Sequence, residues 1–378
     1  MYRTVPSALR AFGRVHGPPR FIRQFSTTPR YGVRAIYSET DNAELNSVLK
    51  EIQETIILPA YLPPKQRRIV FDPSKRGYLE QNPIDIEVEG LEHRFKSIDV
   101  HKDLKSSRKL LWDAIHAMRT KEDWDNLATV LAGYRKANIR LNHNQQAKVM
   151  RMAIQNGHIG SLLECLKQAQ ETGLYFRKKE EFCNVYLGVN NKIETANGDL
   201  AEIRQATRWG EIVLDLAQRP GTIQRSAKGR NVRTFLHFSL FARGMLLHAR
   251  ASLAQAKQDA GEPIDEDVIT IKDDLVLLAS LWAPHLADGK PVSEVDEVKE
   301  LSPRGTEDAS INGRSYVECL AWQLRAIKLA EKLASEEAKP LLPLAEALEK
   351  HAGDIIEAGG EKGAYWSKAF ESTFKGSE

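Results

Sequence analysis

The chain has 378 residues, 42% hydrophobic and 28% charged, a balance that permits a large buried core and excludes a disordered chain. Three cysteines, Cys165, Cys183 and Cys319, are too few and too scattered for a disulfide framework or a Cys-x-x-Cys metal site. The best candidate for a membrane span, LVLLASLWAPHLA from Leu275, carries Pro284 and His285. It falls short of the ~20 apolar residues that cross a bilayer, so membrane association is expected to be peripheral at most.

The net charge of +3 conceals its distribution. Residues 1–32 hold six arginines, no lysine and no acid, leaving the remainder with 48 basic against 51 acidic side chains. That Arg-rich, Ser-containing, acid-free composition predicts a mitochondrial transit peptide. Its end resembles the two-step matrix processing signal. Arg23 stands two residues before a cut ahead of Phe25, and the octapeptide ending at Gly32 would then be removed to leave Val33. A basic arm for nucleic acid is the other reading of the segment. The expected compartment is the mitochondrial matrix.

Residues 33–101 read as an irregular, proline-rich arm with one helix. Leu45, Val48, Leu49, Ile52 and Ile56 recur at helical spacing over 41–57. Pro59, Pro63, Pro64, Pro73 and Pro83 then leave room only for short extended pieces, at 68–71 and 84–88. Lys65, Arg67, Arg68, Lys75 and Arg76 alternate with Tyr61, Phe71 and Tyr78. Such a pattern suits contact with phosphates and stacking on bases, and it equally suits a solvated linker.

Two helical hairpins follow over 108–176. A shift of 35 residues lays Leu127 on Leu162, Leu131 on Leu166, Asn138 on Gly173 and Ile139 on Leu174. A period of that size predicts a helical solenoid, because each unit can bury its apolar stripe only on the next. In the second unit Gly157 closes the first helix and Gly173 ends the second 16 residues later, both as left-handed helix stops. The first unit has Glu122 at the first of these places and Asn138 at the second. On these residues the pair resembles the pentatricopeptide repeat, with the tetratricopeptide repeat as its competitor.

The resemblance implies an all-α, right-handed α-solenoid that binds RNA, or protein if the second family is the better match. The places where a pentatricopeptide unit reads bases hold Asp113 with His143 and Lys148 with Lys178. These are not the usual small polar residues, so phosphate contact by Lys148, Arg151, Lys178 and Lys179 is expected in place of base reading.

Further on, 180–190 and 201–218 predict a third hairpin joined by a long linker, NNKIETANGD. A polar loop carrying Arg225, Lys228, Arg230 and Arg233 adds candidate phosphate contacts. Long helices are expected over 232–259 and 264–286. Residues 288–312 read as an exposed acidic loop, which closes the hairpin section of 102–287. In the last section, 313–378, Ser315 and Glu318 predict a capping box. Val317, Leu320, Leu324 and Ile327 form a seam that wants a partner helix, expected at 341–357. Trp366, Phe370 and Phe374 share one face of a final short helix, which either docks on that hairpin or offers a patch to another protein.

No phosphate-binding loop, His-Glu-x-x-His, Gly-x-Ser-x-Gly or calcium loop occurs, so neither catalysis nor a cofactor is expected. Charge is more informative. Residues 102–255 carry 25 basic and 14 acidic side chains, and residues 256–378 carry 14 and 25. The first half should attract phosphate backbones, and the second should repel them or engage a basic protein. The expected function is a non-catalytic matrix factor of organellar gene expression, bound to mitochondrial RNA or the mitochondrial ribosome. The alternative is a protein-binding scaffold or assembly factor for a respiratory-chain complex.

Overall fold

The computed structural model describes residues 36–99, 105–219, 235–287, 289, 291–303 and 311–375. Arg23, Phe25 and Gly32 of the expected processing signal lie outside the described residues, as do Arg225, Lys228, Arg230 and Arg233 of the polar loop.

Helix α1 (Ala43–Ile52) is capped by Asn42, whose side chain accepts from the Leu45 amide, and it buries the expected stripe of Leu45, Leu49 and Ile52. A π turn (Gln53–Ile57) and a 3₁₀ turn (Leu58–Tyr61) then re-aim the chain. The extended piece expected at 68–71 is instead the end of α2 (Pro64–Val70). Pro64 stands in its first turn, where the missing N–H breaks no helix bond. Asp72 caps a 3₁₀ turn (Pro73–Lys75) that leads into α3 (Arg76–Gln81). Strand β1 (Asp85–Val88) does form where an extended piece was expected, and pairs antiparallel with β2 (Leu91–Arg94). Glu89 and Gly90, at φ 51° and 84°, make the positive-φ turn that a tight hairpin requires. Leu58, Leu62, Val70, Val88 and Phe95 give this region a small core of its own. The arm is therefore a folded platform, in which Pro59, Pro64 and Pro73 stand in the first turns of helices.

The first hairpin comprises α4 (Ser107–Ala117), α5 (Lys121–Asp125) and α6 (Leu127–Lys136). The second comprises α7 (His143–Gln155), α8 (Ile159–Lys167) and α9 (Ala169–Thr172). The period of 35 is physical. Leu127, Leu162, Leu131 and Leu166 are all buried, and Asn138, Gly157 and Gly173 sit at φ 60°, 78° and 74°. Arg135 Nε donates to the Gln170 carbonyl, 35 residues on, at 2.7 Å. The first unit replaces its missing glycine by a capping box, in which Asp123 accepts from the Arg119 and Thr120 amides.

The third hairpin pairs α10 (Lys179–Thr195) with α11 (Leu200–Gln218). Its expected long linker is mostly helix. Asn190 faces the core, its amide donating to the Tyr186 and Met245 carbonyls, and Ile193 is buried. A polar run that reads as loop is thus a helix whose asparagine is satisfied internally. Helix α12 (Leu240–Asp259) begins later than expected, behind a 3₁₀ turn (Leu236–Phe238), and pairs with α13 (Asp265–Ala287).

The stretch expected as an exposed acidic loop contains α14 (Asp296–Leu301), which buries Val298 and Leu301. Its Glu297 is 4% exposed because it accepts from the Ser239 hydroxyl at 2.5 Å and the Phe241 amide at 3.2 Å. Helix α15 (Gly313–Leu333) is capped by Asn312, not by Ser315, and Glu318 accepts from Arg314 in place of a backbone amide. The seam Val317, Leu320, Leu324 and Ile327 is fully buried. Short α16 (Ser335–Ala338) leads to α17 (Leu342–Ala358) and α18 (Gly363–Lys375). Both long helices pack on α15, which also lies along α12. The described chain is thus mostly helical, with one continuous main core reaching from Leu45 to Ala352.

Candidate nucleic-acid interface

Helix α7 buries Ala147, Val149, Met150 and Ala153, which turns Lys148 to solvent and leaves Arg151 at the edge. The Lys148 ammonium lies 4.2 Å from the centre of the Trp112 ring, a cation–π contact that leaves its charge open to solvent. Arg151 pairs with Glu180 at 3.0 Å. Lys178 is exposed at the start of α10. Lys179, with a side chain only 16% exposed, pairs with Glu297 at 3.1 Å and Glu300 at 3.7 Å. The four expected phosphate contacts therefore divide into two open lysines and two cations engaged by acids of the same chain.

Burial makes the acids under this surface unusual. Glu180 is pushed up to about 7 by desolvation, against the pull of Arg151. Glu181 is also raised by burial, although the Arg177 and Lys178 amides donate to it. Its other oxygen lies 2.8 Å from His143 Nδ1. Burial, with the nearby Lys178, Arg177 and Arg151, lowers the His143 pKa. His143, one of the expected base-reading places, is held inward. Burial would lower the Lys179 ammonium, but Glu297 and Glu300 outweigh it and its pKa is raised.

Several cations of the basic half are matched across the fold by the acidic half. Arg204 meets Glu262 at 2.8 Å and Arg250 meets Asp274 at 2.6 Å. In the opposite sense Arg325 meets Glu194 at 2.7 Å. The charge asymmetry of the sequence thus closes partly on itself.

The arm differs. Lys65, Arg68 and Lys75 are exposed and have no carboxylate within ion-pair distance among the described residues. Arg67 lies over the Phe71 ring at 6.0 Å, and Arg76 pairs with Glu80 at 3.3 Å. Tyr61 and Tyr78 are 41% and 53% exposed, high values for rings of this size. Lys136 of α6 reaches over Tyr61 at 4.9 Å and joins the arm to the first hairpin.

Trp366, Phe370 and Phe374, the expected partner patch, pack against the chain's own helices. A Cβ on Gly313 would fall 2.0 Å from the Trp366 ring, so only glycine admits that packing. Phe370 and Phe374 stack at 5.7 Å against the main core, with Lys328 4.0 Å over Phe374.

Between these aromatics and α7–α10 runs a groove of about 740 Å³ lined by Arg151, Asn184, Asn191, Lys192, Arg314 and Tyr365. Arg314 Nη1 donates to the Tyr365 hydroxyl at 2.5 Å, and the guanidinium lies 5.3 Å from the ring centre. The sequence does not single out this pair, because 51 residues separate its members and no local spacing links them.

Among the described residues no three His, Cys, Asp or Glu side chains gather as a metal site, and no helix is long and apolar enough to cross a membrane. The buried polar groups serve the packing. His248 Nδ1 lies 2.7 Å from Asn190 Oδ1, and the three cysteines are buried thiols raised by desolvation.

Residues 23–371 match the family model described as mitochondrial ribosomal protein mS27. The chain is also similar to the small ribosomal subunit protein mS27 of Neurospora crassa, with 26% identity covering 89% of this chain and 92% of the relative. The match takes in the arm, the hairpins and the C-terminal helices together, and the chain belongs to the mitochondrial ribosomal protein mS27 family.

Proposed function

We propose that this chain is a non-catalytic structural component of the small subunit of the mitochondrial ribosome, working in the matrix. The family match over residues 23–371 carries the reading, since it spans nearly every element of the fold. A ribosomal protein binds RNA through unpaired cations and stacking rings, and the molecule offers both on its outer surface. A scaffold for a respiratory-chain complex has no comparable support.

In the same reading, the stacked hairpins of α4 to α11 form a solenoid, supported by the 35-residue period and by the Arg135 to Gln170 link between units. Its phosphate contacts on this surface are Lys148 and Lys178, while Arg151 and Lys179 hold α7, α10 and α14 together through their acids. The C-terminal half supplies acids that complete the fold and surface for neighbouring ribosomal proteins.

Sedimentation of tagged protein from matrix extract tests the reading. The tagged chain should travel with small subunits and shift to slower fractions after RNase. Recovery with respiratory-chain subunits, away from any ribosomal particle, would overturn it.

A further inference from the structure

The arm carries chemistry that the hairpin reading leaves unused. In the sequence its cations are easily dismissed as those of a linker, yet the platform is folded. Its small core of Leu58, Leu62, Val70, Val88 and Phe95 fixes α2 against the β-ribbon, and the Ile98 amide donates to the Val70 carbonyl at 2.9 Å. Lys65 and Arg68 stand three apart on α2 and so share a face. Helix α2 packs against both the turn that carries Tyr61 and the helix that carries Tyr78, and both rings are exposed.

The nearby acids form no close ion pair with Lys65, Arg68 or Lys75 among the described residues, although Asp72 attracts Lys75 at longer range. Asp72 accepts from the Ser74 amide and hydroxyl at 3.0 and 2.7 Å, and Glu80 takes Arg76. Glu89, in the turn between β1 and β2, lies near Tyr61. Elsewhere on the molecule the stronger-looking cations Arg151, Lys179, Arg204 and Arg250 are all paired. Unpaired cations attract phosphate without first breaking an ion pair, and counterion release then rewards each contact.

We propose, resting on the ribosomal reading above, that the platform of α2 and α3 is an RNA-binding surface that takes a single-stranded or looped segment. Lys65, Arg68 and Lys75 contact its phosphates, and its unpaired bases are received by Tyr78 and by the part of Tyr61 that Lys136 leaves exposed. An aromatic face accepts any base, so the surface is indifferent to sequence and selective for unstacked RNA over duplex. Lys136, lying over Tyr61, extends the phosphate track towards α6.

The test uses the full chain, a short labelled single-stranded RNA of mixed sequence, and the corresponding duplex. The combined Lys65→Glu, Arg68→Glu and Lys75→Glu variant should lose at least about tenfold in affinity for the single strand, and its salt slope should fall by about 2, at ~0.7 for each phosphate no longer neutralised. Tyr78→Ala should weaken the single strand about tenfold and the duplex far less. Glutamine at the same three cations guards against misfolding, since it removes charge without adding repulsion and should reproduce most of the loss.

Unchanged affinity and slope in the triple variants would overturn the arm as the site. If Lys148→Glu with Lys178→Glu then abolished binding, the ribosomal reading would stand and the arm assignment alone would fall. Competition by polyglutamate as strong as by RNA would mark a surface for acidic protein and reject the RNA assignment. A wild-type chain that binds neither RNA would contradict both.

Discussion

The hairpin face and the stretch of the arm from Tyr61 to Tyr78 both read as basic in the sequence, and the fold treats them oppositely. On the hairpins, Arg151 and Lys179 turn onto Glu180 and Glu297, and the acidic C-terminal half supplies further partners. On the arm, Lys65, Arg68 and Lys75 remain open beside exposed tyrosines. A count of lysines and arginines measures the material for a binding surface. Whether that material faces outward depends on acids distant in sequence, which pair with it or do not.

Breaking the paired side should cost stability and little RNA affinity. Glu297→Ala leaves the half-buried Lys179 with only the more exposed Glu300, 3.7 Å away, and strips the Ser239 hydroxyl and the Phe241 amide of their acceptor. The expected loss is about 2 kcal/mol, read from the urea midpoint, because the buried Ser239 hydroxyl and Phe241 amide are left without their acceptor and Lys179 loses its nearer carboxylate. Gly313→Ala drives a methyl into the Trp366 ring and should cost about 2 kcal/mol, with faster hydrogen exchange concentrated in α18. Loss confined to α18 would support docking of the aromatic helix; uniform loss would mean that the helix and core unfold as one.

A pH titration sharpens the same contrast. The folded chain holds the Glu180 proton up to about 7, above the unfolded value of roughly 4.3. Because the folded state binds that proton more tightly, the stability it contributes is full below the unfolded value and declines as pH rises towards 7. Glu180→Gln should flatten this part of the stability profile. An unchanged slope would place the titration elsewhere. The smallest effect should come from Lys148→Glu with Lys178→Glu, within about 0.5 kcal/mol in stability since both side chains are exposed, with only a few-fold change in RNA affinity.

Much of the architecture was legible in the residues. The period that laid Leu127 on Leu162 and Asn138 on Gly173 appears as buried leucines and left-handed stops, and the α15 seam is buried as its spacing predicts. What escaped was set by tertiary context. Asn190 looks like loop until His248 and the Met245 carbonyl satisfy its amide, and α14 looks like acidic loop until Glu297 finds Ser239. The prolines of the arm suggested disorder of pattern, yet Pro64 opens α2. For the candidate site the sequence supplied the cations, and only the fold could divide them into engaged and open. The pairing of Arg314 with Tyr365 had no local signal at all.

The central claim is that open cations on the arm, more than paired cations on the hairpins, face RNA. Ultraviolet crosslinking of intact mitochondrial small subunits, followed by mapping of the peptides bound to RNA, tests it most directly. RNA adducts should concentrate on peptides spanning Tyr61 to Tyr78. Adducts confined to α7 and α10, with the arm peptides recovered free, would contradict it.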